Sequence, residues 1–321
     1  MRIARSGQLK IIVILVGVNV LIMAVLTYLS PTFMTYGNIS AVMTRMSELG
    51  MLAIAETIVL ISGGFDISIG AVMALSGAVL GTLHVLGVPF YLSIIIALGA
   101  GVAVGFMNAV LVVNLRLTPF LVTLATMSIV RSVVYALLRG NVLTDLPEAF
   151  LNLYYVNVLK LPILFVILMA TAVVMVVLLK KTILGRRIYA VGGNEKTAYI
   201  SGVYVKRIRY FVYCLSGFIC ALAGLLFTAR IRAVIPDAGL NAPLEVITAV
   251  LIGGTTIYGG KGSILGSLLG ILAMYLLLNG FSLLGLNPFW EVIILGIILI
   301  VVIGQEGIIN SFKSTFSRRK T

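Results

Sequence analysis

Long apolar runs broken by short polar or glycine-rich joints dominate the chain. Hydropathy and helix breakers place candidate spans at about 11–29, 42–62, 69–87, 90–113, 118–138, 161–179, 210–229, 243–257, 263–284 and 288–304. Runs such as 11–29 and 90–113 approach the roughly 20 residues a helix needs to cross hydrocarbon. In a bilayer only structures that satisfy their own backbone survive, and these runs show no strand-like alternation. The expected fold is therefore all-α, a polytopic transmembrane bundle of about ten helices forming a single membrane domain over residues 1–321. Two longer polar connections interrupt it, an outer loop at 139–160 and an inner loop at 180–209.

Composition agrees with this class. Of 321 residues, 61% are hydrophobic and 10% charged, and the mean hydropathy is +1.18. A soluble domain carries about a quarter charged residues. The first run follows Arg2, Arg5 and Lys10 like a signal peptide, but it is too long for an h-region, and Ser30-Pro31-Thr32 is a poor cleavage site. It reads as a retained first span.

Charge sets the expected orientation. With the N-terminus inside, only Arg139, Lys160, Arg230 and Arg232 fall outside, and Arg45 and Arg131 fall within spans. The other 17 of the 23 basic residues gather on the inner side, as basic residues do in cytoplasmic loops. Both termini are then cytoplasmic, and an even number of spans follows. The net charge of +13 needs no nucleic-acid partner. Cys214 and Cys220 lie on different faces of one helix, and His84 is the only histidine. Neither a disulfide nor a histidine metal centre is expected.

Residues 53–83 align with 242–272, which matches Ala53 with Ala242, Glu56 with Glu245, Gly64 with Gly253, Gly70 with Gly259, Gly77 with Gly266 and Gly81 with Gly270. Six crossings separate the copies, so both run the same way, a parallel internal repeat of the kind found among transporters.

Several positions invite a chemical reading. In Ser62-Gly63-Gly64-Phe65-Asp66-Ile67-Ser68-Ile69-Gly70 the glycines permit a helix break and Asp66 can cap the next helix. The stretch is either a plain inner turn or an element beside a translocation path. Its counterpart holds Gly253, Gly254 and Thr255 and ends at Lys261-Gly262-Ser263. That spacing is not the Gly-Lys-Ser/Thr of a phosphate loop, so no ATP site is expected on this chain. Glu56 and Glu245 lie within spans, where a carboxylate is costly. They either bind a coupling proton or polar substrate, or act as polar glue with Arg45, Arg131 or backbone. Glu48 stands one helical turn after Arg45 and is expected to pair with it. Gly77-xxx-Gly81, Gly101-xxx-Gly105 and Gly266-xxx-Gly270 mark close helix contacts. No set of catalytic side chains can be assembled.

In the inner loop, Asn194 suits an N-cap, Glu195 a first helical turn and Gly202 a helix end. Ala198, Tyr199 and Ile200 would give that short helix an apolar face, for docking in a partner's groove or for lying at the lipid interface.

The strings GGFDISIG-AVMALSGAVLG, LGRRIYAVGGNEKTAYISGV and AVLIGGTTIYGGKGSILGSLLG, in this order, resemble those of the ribose-type sugar ABC transporter permeases. That bacterial inner-membrane family also includes branched-chain amino-acid and autoinducer-2 permeases. The likeness covers residues 40–304, with Phe-Asp-Ile-Ser where many members carry Ile-Asp-Leu-Ser. It implies a non-enzymatic permease subunit of an importer, without a cofactor of its own. The implied partners are a second copy or a paralogue, two P-loop ATPase subunits that bind ATP, and a periplasmic solute-binding protein. Asn194 to Val203 matches the family's coupling helix, and Arg230 and Arg232 are candidates for docking the binding protein. The rival expectation is an ion-coupled secondary transporter or channel working through Glu56 or Glu245.

Overall fold

Glycine and proline positions cut the apolar sequence into helices of unequal length, and this inequality shapes the bundle. A computed structural model describes residues 2–287 and, beyond them, Trp290, Ile293, Ile294, Gly296, Ile297, Ile300, Val301 and Gly304; for residues 2–6 it describes the backbone alone. The span expected at 288–304 lies largely outside the described residues, as does the C-terminal basic cluster. The helices are α1 (Arg2–Leu29), α2 (Tyr36–Ile61), α3 (Ile69–Val85), α4 (Phe90–Ala109), α5 (Pro119–Leu138), α6 (Glu148–Leu151), α7 (Ile163–Lys181), α8 (Ile183–Gly193), α9 (Glu195–Ile200), α10 (Val205–Ile231), α11 (Ala242–Ile252) and α12 (Ile264–Leu283).

The protein is thus a helical, multi-pass membrane protein. Among the described residues, six helices are long and apolar enough to cross a bilayer: α1, α4, α5, α7, α10 and α12. The 26 residues of α2 would reach about 39 Å, but they include Arg45, Glu48 and Glu56. The 17 of α3 and 11 of α11 are shorter. α2 is buried from Met46 to Ile61, packed among α7, α10, α11 and α12, while α10 also packs on α3 and α4. Apolar side chains such as Ile14 on α1, Ile95 on α4, Leu121 on α5 and Val173 on α7 point outward. They form the surface that hydrocarbon would cover.

The predicted glycine contacts exist. Gly101 lies against the Gly217 carbonyl, Gly105 against that of Tyr213, Gly77 against Thr228, and Gly266 and Gly270 against the carbonyls of Gly253 and Ala249. A side chain at these places would hold the helices apart.

The span expected at 243–257 is built differently. α10 ends at Arg232 in a left-handed conformation, and residues 232–241 then descend into the bundle without forming a helix. Val234 lies beside Gly77 and Gly81 of α3, and Gly239 beside Met73 and Gly70. Eleven residues of α3 correspond to about 16 Å, so the non-helical stretch enters deeply before α11 begins. Its polar backbone is satisfied locally. Val234 and Leu143 exchange two backbone hydrogen bonds, and the Arg131 guanidinium donates to the carbonyls of Pro236 at 2.8 Å and Ala238 at 2.7 Å. Irregular backbone inside a membrane protein survives only with such partners.

In the 139–160 connection, α6 and a 3₁₀ turn over Asn152–Tyr155 precede a two-residue hairpin, β1 (Asn157–Val158) with β2 (Leu161–Pro162).

Candidate functional site

α2, α4, α5, α7 and α10–α12 all have an end near the inner-loop segment 182–204, here called the basic end. Two helix breaks and that loop meet there, and glycine is what lets them meet. A Cβ on Gly192 would collide with the Ile61 carbonyl and lie 2.8 Å from the Gly260 amide. Gly259 stands on the other side, where a Cβ would be 2.7 Å from the Gly192 carbonyl and 2.9 Å from the Gly63 Cα. The Gly260 amide donates to the Ile61 carbonyl at 2.9 Å. Gly63 and Gly259 have φ of 78° and 81°, a region L side chains rarely adopt. The three strings singled out in the sequence thus form one backbone-to-backbone junction. Tyr189 ties it further, its hydroxyl donating to the Gly262 carbonyl at 2.9 Å. Burial pushes that hydroxyl up to about 12, so it keeps its donor proton at any working pH. Gln8 donates to the same carbonyl at 2.8 Å.

From the junction the chain turns back into the bundle. Asp66 has returned to the level of Glu56, whose Oε1 accepts from the Asp66 amide at 3.4 Å. Glu56 lies five residues before the end of α2, about 8 Å inside. Asp66 Oδ1 accepts from the Ser68 amide at 2.9 Å and the Ser68 hydroxyl at 2.5 Å. Oδ2 accepts from the Ser216 hydroxyl of α10 at 3.3 Å. Asn108 of α4 donates to the Ser68 hydroxyl at 3.0 Å, and Thr123 of α5 accepts from the Ile67 amide at 3.2 Å. The Tyr213 hydroxyl of α10 donates to the Phe65 carbonyl at 3.3 Å. This network joins four helices to the break. Glu56 Oε2 and Asn108 Oδ1 are buried with no hydrogen-bond partner, and neither carboxylate has a cation within 4 Å among the described residues. The Asp66 side chain does not take the capping role expected for it: it accepts from Ser68, the residue at the N-cap position of α3, and among the described residues no side chain caps the free amides of that helix.

The remaining sequence candidates fall at three places. Gly64 faces the Tyr213 hydroxyl, and Gly70 faces the Gly239 carbonyl of the descending segment. Gly253 is pressed on Gly266, Gly254 has a φ of 80° and faces Ile11, and buried Thr255 stands 3.4 Å from the Ser267 hydroxyl. Glu245, in the first turn of α11, is half-buried near Tyr275 of α12. The two aligned glutamates therefore have unlike surroundings.

α9 has the predicted ends. Asn194 Oδ1 accepts from the Thr197 amide at 2.8 Å. Gly202, at φ 78°, closes the helix with Gly202 N to Tyr199 O and Val203 N to Ala198 O, both 3.0 Å. This pattern satisfies its last carbonyls. Glu195 pairs with Arg209 at 2.6 Å. Tyr199 and Ile200 are 73% and 76% exposed, but Ala198 is buried and does not join the outer face expected of it.

At the opposite end Glu48 is held by Arg230, not by Arg45 as helical spacing suggested. Nε and Nη2 donate to its two oxygens at 2.8 and 2.6 Å. The fork of a guanidinium matches a carboxylate, and α2 and α10 present the two side chains face to face. Arg232 donates to the Leu151 carbonyl at 3.3 Å and lies over the Tyr155 ring.

Asn108, Thr123, Tyr213 and Ser216 escaped the sequence reading as members of this site, while Arg131, offered there as a partner for the glutamates, donates to the carbonyls of Pro236 and Ala238 instead. For Asn108 a signal existed, a lone amide within the apolar run 90–113.

A family model described as a branched-chain amino acid transport system permease component matches residues 38–303. The ribose import permease protein of Bacillus subtilis is 35% identical over 307 residues, 94% of each chain. The fructose import permease protein of Rhizobium meliloti is 34% identical over 290 residues, 85% of this chain and 79% of its own. The D-allose transport system permease protein of Escherichia coli is 32% identical over 292 residues, 90% of each. No solved structure matches the chain significantly.

Proposed function

The chain belongs to the branched-chain amino acid transport system permease component family, and from that premise we propose that it is the membrane-spanning permease subunit of an ABC importer for a monosaccharide. Ribose, fructose and allose in the relatives' names support a sugar as solute. The observation that carries the coupling mechanism is the junction of Gly63, Gly192 and Gly259. It welds the loop bearing α9 to both helix breaks, so a push on Tyr199 and Ile200 reaches the Asp66 network through backbone contacts that have no slack.

In this reading Asn194, Glu195, Ala198, Tyr199, Ile200 and Gly202 form the coupling element. Tyr199 and Ile200 meet a separate P-loop ATPase, Glu195 is held by Arg209, and Ala198 anchors the helix inward. The path runs beside the two breaks, past Glu56, Gly63, Gly64, Asp66, Ser68 and Gly70 on one side and Glu245, Gly253, Gly254 and Thr255 on the other. Discontinuous segments at such depth are where transporters place their solute. A periplasmic binding protein docks at the end opposite α9, with Arg232 as its first contact because Arg230 is engaged by Glu48. A second copy or a paralogue completes the path. The permease itself is not an enzyme; it supplies two states with different affinities for its partners.

The same reading places the chain in the bacterial inner membrane with about ten crossings and both termini in the cytoplasm, following its basic loops. A parallel repeat relates α1, α2 and α3 to α10, α11 and α12 in order. Its support is reciprocal packing, α1 on α12 and α10 on α3.

The test is reconstitution in liposomes with the cognate ATPase and binding protein. ATP-dependent sugar accumulation is expected, and none without the ATPase. Accumulation by this chain alone, driven by a proton or sodium gradient, would instead establish the ion-coupled alternative, for which Glu56 or Glu245 is the candidate carrier.

A further inference from the structure

The basic end carries an open cavity of 1060 Å³ between the joint of α4 with α5 and the segment leading from α9 into α10. Its rim is cationic: Arg116, Lys196, Lys206 and Arg207 line it, and none of the four has a carboxylate within 4 Å among the described residues. The one acid at its edge, Glu195, is already paired with Arg209. A second cavity of 390 Å³ adjoins the first and shares Arg116, Leu117 and Thr118 with it. Beyond these residues its walls are almost wholly apolar, with Met107, Leu121 and Ile129 exposed along the outer faces of α4 and α5.

The two cavities form one amphipathic site. From Pro119 to Ile129 the groove climbs ten residues of α5, about 15 Å, which is half of a hydrocarbon core of about 30 Å. A cationic basin at the membrane surface, leading into an apolar groove one leaflet deep, has the polarity and length of a phospholipid. A soluble partner could cover the basin with acidic side chains but has no means of entering the groove. We propose that this is a binding site for an anionic phospholipid of the leaflet at the basic end. Its phosphodiester is held by Arg116, Lys206 and Arg207, and one acyl chain is laid between α4 and α5. Basic pockets between membrane helices are suited to such headgroups. Tyr199 itself lines the basin, so a headgroup there would lie against the face of α9 that the coupling reading gives to the ATPase; the binding itself does not depend on that reading.

The test uses the purified full chain without other subunits. Retention of phosphatidylglycerol and of phosphatidylcholine with the same acyl chains is compared by native mass spectrometry. Preferential retention of the anionic lipid is expected, about fivefold weaker for each charge removed and on the order of a hundredfold weaker in the triple variant Arg116→Ala/Lys206→Ala/Arg207→Ala. Leu121→Trp fills the groove and leaves every charge in place, and it should also lower retention. Equal retention of the two lipids, or an unaffected triple variant, would overturn the proposal. So would inorganic phosphate displacing the lipid at millimolar concentration, which would mark a free-phosphate site. Efficient disulfide formation between copies carrying Leu121→Cys would likewise overturn it, by showing that a second copy covers the groove.

Discussion

The backbone of Gly192 is pressed so closely on the carbonyl of Ile61 that no Cβ fits between them. The loop carrying α8 and α9 therefore touches the end of α2 without any intervening side chain. Overpacking at a rigid backbone contact costs about 1–3 kcal/mol. Gly192→Ala should lower the thermal midpoint in detergent by several degrees and reduce uptake. Gly193→Ala, next in sequence but with its Cβ pointing into open space, should leave both unchanged. Equal behaviour of the two variants would refute the junction.

Tyr199 and Ile200 face outward on α9 while Ala198 faces in. Ile200→Asp should leave the amount of protein and its thermal midpoint unchanged, yet reduce ATP-driven uptake by about tenfold or more, as loss of an interface anchor does. Ala198→Asp buries a charge, so it should lower the midpoint as well. Parallel measurement of uptake and melting separates the two effects, and normal uptake by Ile200→Asp would remove the coupling role.

Removing one partner from a buried ion pair leaves the other charged and unsatisfied, at a cost of about 3–5 kcal/mol. Arg230→Met should therefore destabilise the protein strongly, because Glu48, whose side chain is only 6% exposed in the pair, loses its partner. The double variant Glu48→Gln/Arg230→Met should recover most of that loss. A double-mutant cycle followed by chemical unfolding reads the difference, and additive effects would show that the pair carries no coupling.

Asp66 accepts from Ser68 twice and from Ser216 once. Asp66→Asn keeps an oxygen for the Ser68 donors, and its amide can donate to the Ser216 hydroxyl. Asp66→Ala leaves those donors unsatisfied, at about 1–3 kcal/mol for each buried group. Melting midpoints in the order wild type, Asp66→Asn, Asp66→Ala are expected, the last well below the others. An alanine variant as stable as the asparagine one would mean that the network does not hold the break.

Much was legible in the chain itself. Apolar runs separated by breakers determined the membrane class, since too few charged residues exist to cover a water-facing surface. Local motifs also survived intact. Asn194 and Gly202 bound α9 as their side-chain and backbone chemistry requires, because capping involves only residues a few positions apart. The glycine pairs likewise marked real helix contacts, though without naming the partner helix.

What the tertiary structure decided depends on distant segments. Helical spacing offered Arg45 to Glu48, but the bundle brings Arg230 from 182 positions away, and a fork with two bonds outcompetes a neighbour one turn along. The run 243–257 has the hydropathy of a span, yet half of that crossing is made by non-helical residues whose carbonyls accept hydrogen bonds from Arg131 of α5. Asn108 and Ser216 became members of the Asp66 network only through the packing of α4 and α10. Hydropathy reports how much a residue gains by leaving water. Which polar partner it meets afterwards is set by three-dimensional packing, and that information is spread over the whole chain.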